Sequence, residues 1–152
     1  MMIRKLIIFI LSTFFLYSCD YKPIYSNKSD TNFFISDINF EGNAEINNVI
    51  NKKLKRYQKV ASKKKFNIDV KSDYEKISQS KDLTGKTTDY KVIVTIDFEI
   101  DNNKKIIKLV SQEDFLMKNL NNEFEEKKYE KAKIENSIDI IVNTLIIQLS
   151  QI

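Results

Sequence analysis

The single cysteine, Cys19, has the most distinctive chemical surroundings of any residue in this chain. It follows a basic pair, Arg4 and Lys5, and a nearly unbroken apolar run, Leu6–Leu16. A short basic segment, an apolar run of this length and a small residue before the cut site form the layout of a secretory signal peptide. A bilayer core needs ~20 helical residues, so this run makes a poor permanent span. The pattern predicts an exported chain.

The residues that lead up to the cysteine, Leu16-Tyr17-Ser18-Cys19, resemble the lipobox of bacterial lipoproteins. In that class the thiol is acylated, the chain is cut just before the cysteine, and the new N-terminus is usually acylated too. Several acyl chains at ~0.8 kcal/mol per buried methylene make a firm anchor. The resemblance implies a signal peptide over 1–18 and a lipid on Cys19. The alternative is an uncleaved anchor helix with an incidental cysteine, which the bulky Tyr17 favours slightly.

The composition argues against most kinds of catalysis. The chain has no histidine and one cysteine. It therefore has no Ser-His-Asp or Cys-His nucleophile system, no histidine metal site and no disulfide partner for its thiol. The carboxylates are scattered among lysines and asparagines, as on a solvated surface. We expect no enzymatic activity, no metal and no cofactor.

The charge balance gives little support to a nucleic-acid partner. The full chain carries a formal charge of +4, and loss of Arg4 and Lys5 with the signal leaves about +2. The only other arginine is Arg56. Because bidentate recognition of phosphates and base edges depends on arginine, we expect no nucleic acid to bind.

The residues after the cysteine divide into a tether and a domain. Asp20–Asn32 is polar, has no period and holds the only proline, so it is typical of a flexible tether. The rest of the chain is long enough for one domain with a substantial core. The predicted organisation is a signal peptide at 1–18, the lipidated cysteine and tether at 19–32, and a single domain at 33–152.

The first half of this domain predicts a strand followed by a helix. Phe33–Phe40 is a strand candidate, and Asn43 after it is a plausible helix N-cap. One amphipathic helical face then follows at steps of three or four residues: Ile46, Ile50, Leu54, Tyr57 and Ala61. We expect the run Lys63–Lys65 at the C-terminal end of this helix, where cations suit the helix dipole.

Three strand candidates come next. Phe66–Tyr74 and Tyr90–Ile100 alternate apolar and polar residues, and the second is the clearest strand pattern in the chain. Lys76–Asp89 between them is expected to form a polar loop. Asp101–Lys104 has turn chemistry, and Lys105–Phe115 is expected to pair back as a fourth strand with less regular alternation.

A long helix is predicted at the end of the chain. Asn122 with Glu125 resembles an N-cap with its capping-box partner. One apolar stripe follows at Ile134, Ile138, Ile141, Leu145, Leu149 and Ile152, and it is widened by Ile140, Val142, Ile146 and Ile147. We expect this helix end to be well buried, although the stripe could instead dock a partner. The predicted fold is a two-layer α+β domain of order β-α-β-β-β-α, with two helices on one face of a four-stranded, mainly antiparallel sheet.

Four lysines are candidates for contact with an anionic lipid headgroup, because lysine can pair with phosphate as a point charge. They lie on the clearest strand and around the following hairpin: Lys91, Lys104, Lys105 and Lys108. A solvated sheet face in a lysine-rich chain is the alternative interpretation.

The segment after the cysteine, Cys19–Tyr25, places an aromatic, a basic residue, proline, an aliphatic and tyrosine in a short row. Together with the order of elements, and with the Asn- and Glu-rich approach to the last helix at Lys118–Ser137, it resembles the LPS-assembly lipoprotein (LptE) family. The resemblance implies a lipid-anchored protein at the periplasmic face of the cell outer membrane. It also implies a complex with the large LPS-assembly outer-membrane β-barrel, partly as a plug in its lumen, and contact with lipopolysaccharide.

One residue keeps two alternatives open. Asp20 stands where that family usually has glycine, and in some bacteria an aspartate after the lipidated cysteine retains a lipoprotein in the inner membrane. This favours an auxiliary lipoprotein of an ABC-type lipid transporter. A free-standing periplasmic binding module is the other alternative.

Overall fold

A computed structural model describes residues 32–59, 62–120 and 122–152. The predicted signal peptide, Cys19 and Asp20 lie outside the described residues. The elements, in chain order, are β1 (Phe33–Gly42), α1 (Ala44–Leu54), a 3-10 helix (Lys55–Lys59), β2 (Lys64–Lys81), β3 (Thr87–Asp101), β4 (Ile106–Lys118) and α2 (Glu123–Gln151).

The four strands form one sheet in the order β1-β2-β3-β4. β1 pairs with β2 in parallel, and the other two pairings are antiparallel. A parallel neighbour requires a crossover connection, which α1 and the 3-10 helix supply. The predicted α+β fold with β-α-β-β-β-α order and a mainly antiparallel sheet is confirmed.

The core lies between one face of the sheet and both helices. The alternating apolar residues of β2 and β3 point into it, with exposed fractions of 0–2 % from Phe66 to Val70 and from Val92 to Ile100. The helices cover these strands with the buried residues Ile46, Ile50, Leu54, Ile138, Ile141, Val142, Leu145 and Leu149. Each such side chain contributes about 1.5–3 kcal/mol, so burial of one face decides the strand register.

A tight corner joins β1 to α1. Gly42 has φ +90°, and a Cβ there would stand 1.9 Å from the carbonyl oxygen of Ser72. The N–H of Asn43 donates to that same oxygen at 3.1 Å. The Asn43 side chain accepts from the N–H groups of Glu45 and Ile46 at 3.0 and 3.1 Å. The predicted N-cap is therefore confirmed.

The polar loop predicted at Lys76–Asp89 is wrong. β2 continues to Lys81 and β3 begins at Thr87, which leaves only a short turn between them. In this turn the Asp82 carboxylate accepts from the N–H groups of Thr84 and Lys86 at 2.8 and 3.0 Å. The hairpin extends beyond the core, so its side chains do not alternate in polarity, and periodicity could not reveal it.

The position predicted for the lysine run is also wrong. The α-helix ends at Leu54, the chain continues as the 3-10 helix, and Lys64 and Lys65 begin β2. The Tyr57 ring stacks on Phe33 with centroids 5.5 Å apart, which holds the 3-10 helix against the start of β1. The chain must turn back there because β2 pairs with β1.

α2 begins at the predicted cap and has a narrower buried face than expected. Asn122 accepts from the N–H groups of Phe124 and Glu125, but Glu126 rather than Glu125 reaches back, to the N–H of Leu120 at 2.8 Å. A step of two residues turns a helix by about 200°. The residues two positions beyond the buried Ile138 and Leu145 therefore face away from the core: Ile140 and Ile147 are 52 % and 57 % exposed.

The prediction that the C-terminal part of α2 is well buried is therefore wrong for the side of the helix that carries Ile140 and Ile147. In the described part of the chain, no helix combines the length and apolar character that a membrane crossing requires.

Candidate functional site

Both helices pack on one face of the sheet, and no other helix or strand among residues 32–59, 62–120 and 122–152 covers the opposite face. We call this opposite face the open face. It consists of the side chains of all four strands that point away from the helices, between the register row of Asn67 and Asp101 and the row of Ile77 and Lys91. It carries nine acidic side chains: Asp37, Glu41, Asp69, Asp73, Glu75, Asp97, Glu99, Asp101 and Asp114. It carries only three lysines: Lys71, Lys91 and Lys108. The open face is therefore net negative.

Two of these lysines are paired with carboxylates on a neighbouring strand. Lys91 Nζ lies 3.3 Å from Asp114 Oδ2, and Lys108 Nζ lies 3.0 Å from Glu99 Oε2. All four side chains are at least one-third exposed, so each pair stabilises the sheet by only about 0.2–1 kcal/mol. Their main consequence is that two of the three lysines on this face are already paired with carboxylates.

The structure does not bring the four predicted headgroup lysines together. Lys104 and Lys105 lie in the β3–β4 turn and are exposed. Lys91 lies ten residues back along β3 from Asp101, or about 33 Å. Contact of these four lysines with anionic lipid stays a prediction, and lipidation of Cys19 falls outside the described residues.

The outward side of β4 carries three exposed apolar side chains, with Lys108, Gln112 and Asp114 between them. Ile106, Val110 and Leu116 point outward and are 60 %, 66 % and 62 % exposed. We call these three residues the β4 margin. β4 is an edge strand of 13 residues, so the backbone groups on its outer side have no strand partner within the described sheet. A long edge strand of this kind is available for pairing with a strand of another chain, and apolar side chains at alternate outward positions can contact that strand's side chains.

The sequence contains a sign of the β4 margin, which is the occurrence of adjacent apolar residues, but the periodicity alone does not show which of them face outward. The segment Lys105–Phe115 alternates poorly because apolar residues come in pairs, as at Ile106-Ile107 and Leu109-Val110. In the structure one member of each pair faces the helices and the other faces outward.

The β4 margin continues past the end of the strand. A cleft of about 620 Å³ lies beside Leu116, Leu120 and Tyr129, with Asp89 and Lys118 as its charged groups. Phe124 near the start of α2 is 71 % exposed. Exposed apolar side chains are thus present both at the end of β4 and in the first turn of α2.

A polar cluster joins β2 to the first turns of α2. Lys76 Nζ lies 3.0 Å from Glu126 Oε1 and 2.9 Å from Glu130 Oε2, and the Tyr74 hydroxyl donates to Glu130. Lys76 Nζ also lies 4.4 Å from the centroid of the Tyr90 ring. Sequence analysis missed this cluster because the residues that it joins on β2 and α2 are 50 or more positions apart along the chain.

The protonation states in this cluster favour a structural role, in which its ion pairs hold α2 against β2, and we call the cluster the clamp. Burial, reinforced by the Glu130 hydrogen bond, raises the pKa of Tyr74. Burial would lower the pKa of Lys76, but its bonds to Glu130 and Glu126 outweigh this and raise it. Each charge faces an opposite charge, so the cluster holds the helix to the sheet and offers no activated nucleophile. Residues 32–59, 62–120 and 122–152 contain no group of three potential acidic, histidine or cysteine ligands placed to hold a metal.

A second cleft, of about 440 Å³, lies between α1 and α2. Ile46, Val49 and Ile134 form its apolar wall, and Glu130 and Lys131 lie at its rim. Its mixed lining could accept a small amphipathic molecule.

Comparisons with known proteins place the fold among bacterial lipoproteins. The structure resembles a rare lipoprotein B from Shewanella oneidensis (TM-score 0.54, 12 % identity, covering 72 % of this chain and 92 % of that one). It also resembles a minor lipoprotein from Acinetobacter baumannii (TM-score 0.56, 12 % identity, covering 80 % and 92 %). A lipoprotein B from Nitrosomonas europaea is similar at a TM-score of 0.54 and 11 % identity, covering 81 % and 88 %.

No protein-family model matches the chain, and no curated protein matches its sequence. At identities this low the likeness establishes the fold alone. It spans nearly the full length of each neighbour.

Proposed function

We propose that this chain is a non-enzymatic, lipid-anchored protein of the cell outer membrane that docks to the LPS-assembly β-barrel. It would plug that barrel in part and aid the transport and insertion of lipopolysaccharide. The observation that carries the proposal is the β4 margin, three exposed apolar side chains on the edge strand of an otherwise polar sheet face. The shared lipoprotein fold and the lipobox-like sequence before Cys19 support it.

A plug must be compatible with water on most of its surface and with a partner on part of it. The lumen of an outer-membrane barrel is polar and hydrated. The open face, with its carboxylates and matched lysines, suits such surroundings. A lipid tether would keep the domain at high effective concentration near a membrane partner, so a modest interface would suffice.

The edge of β4 offers the specific contact. A strand of the partner could add to the outer side of β4 through backbone hydrogen bonds, and pockets for Val110 and Leu116 would give selectivity. The cleft beside Leu120 and Tyr129 would extend this interface. Of the four lysines predicted to contact an anionic lipid headgroup, Lys91 and Lys108 lie beside this interface, and Lys104 and Lys105 lie in the turn before β4.

A mild-detergent pull-down on the full-length chain from its host's membranes tests the proposal. We expect a large outer-membrane β-barrel as the dominant partner. The double variant Val110→Asp with Leu116→Asp should lose it, because both changes place charge on the β4 margin. The matched control is Ile140→Asp with Ile147→Asp, which alters residues of similar exposure on α2 and should keep the barrel. Equal capture by both variants, or no barrel with the unaltered chain, would contradict the proposal.

Asp20 favours one second candidate, an auxiliary lipoprotein of an ABC-type lipid transporter in the inner membrane. Membrane fractionation separates the two candidates. Transporter subunits in the same pull-down, with the chain in the inner-membrane fraction, would establish this alternative. A chain that captures no protein would point to a free-standing module, for which the cleft between α1 and α2 is the binding region to examine.

A further inference from the structure

Three segments of the chain bring positive charge to one end of the sheet. They are the 3-10 helix, the residues that enter β2, and the β3–β4 turn. Their cationic residues are all exposed: Lys55, Arg56, Lys59, Lys63, Lys64, Lys65, Lys104 and Lys105. We call these eight residues the basic end.

Packing around Phe33 fixes the first two segments. Phe33 is fully buried, stacks on Tyr57 of the 3-10 helix at 5.5 Å, and meets the Phe66 ring edge-on at 6.0 Å. It is also the register partner of Lys64. The 3-10 helix and the start of β2 therefore both lie at the start of β1.

Strand register places the turn at the same end. Asn67 of β2 pairs with Asp101, the last residue of β3. The lysines at the start of β2 extend beyond this pair in the same direction as the turn. The Asn102 side chain accepts from the N–H groups of Lys104 and Lys105 at 3.1 and 2.9 Å, which fixes the turn conformation.

No ion pair between described residues includes a residue of the basic end. The ion pairs among the described residues involve Lys53, Lys76, Lys91, Lys108, Lys127 and Lys131. The sequence has no acidic residue between Lys55 and Lys65. The acidic residues nearest this end are Asp37 and Asp101, which both lie in the register row of Asn67. Their carboxylates already accept the N–H groups of Ile38 and Asn103 at 3.0 and 2.7 Å. The basic end is thus strongly positive.

The partner follows from where the chain enters the domain. β1 starts at the basic end, and only fourteen positions separate Phe33 from Cys19. That segment spans at most about 50 Å when fully extended. A lipid on Cys19 would therefore confine the domain to the neighbourhood of the bilayer, with this end joined to the tether. Lysine clusters next to a membrane anchor are attracted to anionic headgroups, and a lysine is a mobile point charge that suits a fluid surface.

We propose that the basic end docks the domain against the anionic phospholipid headgroups of the membrane that holds its anchor. Docking orients the molecule. The turn between β2 and β3 lies fourteen residues along β2 from Asn67, about 45 Å away, and points from the membrane into the aqueous space. The proposal rests on the lipid anchor within the proposed function, but not on the identity of the protein partner.

Hydrogen exchange on the full mature protein, purified from its host's membranes, tests this. The protein is reconstituted into vesicles of phosphatidylcholine alone or with phosphatidylglycerol. In the anionic vesicles we expect roughly tenfold slower exchange over 55–59, 62–65 and 101–106, reversed by high salt, and no change over 82–86. Equal exchange at the basic end in the two kinds of vesicle would overturn the proposal.

A pair of triple variants controls for net charge. Lys63→Gln, Lys64→Gln and Lys65→Gln should abolish most of the protection. Lys81→Gln, Lys86→Gln and Lys118→Gln remove the same charge from exposed positions towards the other end of the sheet and should leave it intact. Loss in both triples would mean a general charge effect and would overturn docking by this end, as would protection that appears only when a protein partner is added. Barrel capture by the first triple separates failure of this proposal from failure of the proposed function.

Discussion

The open face and the basic end are built from the same lysine-rich sequence, yet they carry opposite charge. On the open face, strand register sets lysines beside carboxylates, as at Lys108 and Glu99, and the acidic residues outnumber them. At the basic end, segments distant in sequence bring lysines together without acidic partners. A formal charge of +4 for the whole chain describes neither surface. The fold distributes the charged residues unevenly, and the net charge of the chain does not show this distribution.

The two surfaces also differ in what maintains them. The open face exists because both helices pack on the other side of the sheet, and many buried contacts ensure this. The basic end depends on a local aromatic cluster around Phe33. Variants that disrupt either the packing of the helices on the sheet or the aromatic cluster around Phe33 test whether the two surfaces are independent.

The largest effect is expected from Phe33→Ala. The ring is fully buried between Tyr57 and Phe66, so its removal should lower the free energy of unfolding by about 3–5 kcal/mol. Urea denaturation measures this, and hydrogen exchange should show opening first in the 3-10 helix. Phe124→Ala, at a ring that is 71 % exposed, is the control and should cost less than about 0.5 kcal/mol. Equal losses in the two variants would show that Phe33 does not hold the basic end.

Gly42→Ala should cause the next largest loss of stability, because Gly42 forms the tight turn that directs α1 to the face of the sheet opposite the open face. Gly42 and Gly85 both have positive φ, but only at Gly42 would a Cβ collide with backbone, at Ser72. We expect a loss of about 2–4 kcal/mol at Gly42, where strain and collision add. Gly85→Ala, with open space around it, should cost about 1–2 kcal/mol. Thermal unfolding of both variants checks this, and a larger loss at Gly85 would contradict it.

The polar cluster around Lys76 predicts a pH dependence of the stability of the fold. Burial would raise the pKa of Glu126, but the hydrogen bonds from Lys76 and the Leu120 N–H outweigh it and lower the pKa. A carboxyl with a lowered folded-state pKa stabilises the fold above its unfolded pKa, near 4.3. That contribution is lost as the pH falls through the folded pKa.

Glu126→Gln should therefore cost about 1–2 kcal/mol at pH 7, and the difference from the unaltered chain should shrink below about pH 4. The matched change on the open face, Glu99→Gln, removes a carboxylate from an exposed pair and should cost less than about 0.5 kcal/mol. Urea denaturation across this pH range measures both. A loss at Glu126 that does not change with pH would mean that packing, not charge, fastens α2.

The parts of the fold that the sequence predicts are those that depend on residues close together in the chain. Strands with one buried face, such as Phe66–Tyr74 and Tyr90–Ile100, and the caps at Asn43 and Asn122 depend on neighbours in the chain. Sequence reasoning therefore located them and the fold. The extended hairpin lacks a buried face, so it gave no periodic signal.

The candidate surfaces depend on tertiary placement. The lysine run 63–65 was visible as a run, but its proximity to Lys104 follows only from register. The β4 margin required knowing which member of each apolar pair faces outward. The clamp at Lys76 joins residues 50 or more positions apart, which no local pattern relates.

The smallest effect, a change in hydrogen-exchange protection, is expected for the two predicted lipid-contact lysines on the open face, Lys91 and Lys108. Lys91 and Lys108 were candidates together with the two turn lysines, but each is paired with a carboxylate on a face that is net negative. The double variant Lys91→Gln with Lys108→Gln should therefore change hydrogen-exchange protection in anionic vesicles by less than about twofold. Lys104→Gln with Lys105→Gln removes the same charge from the basic end and should reduce it clearly. If the first pair reduced protection as strongly as the second, lysines matched by carboxylates would still recruit headgroups, and the contrast between the two surfaces would fail.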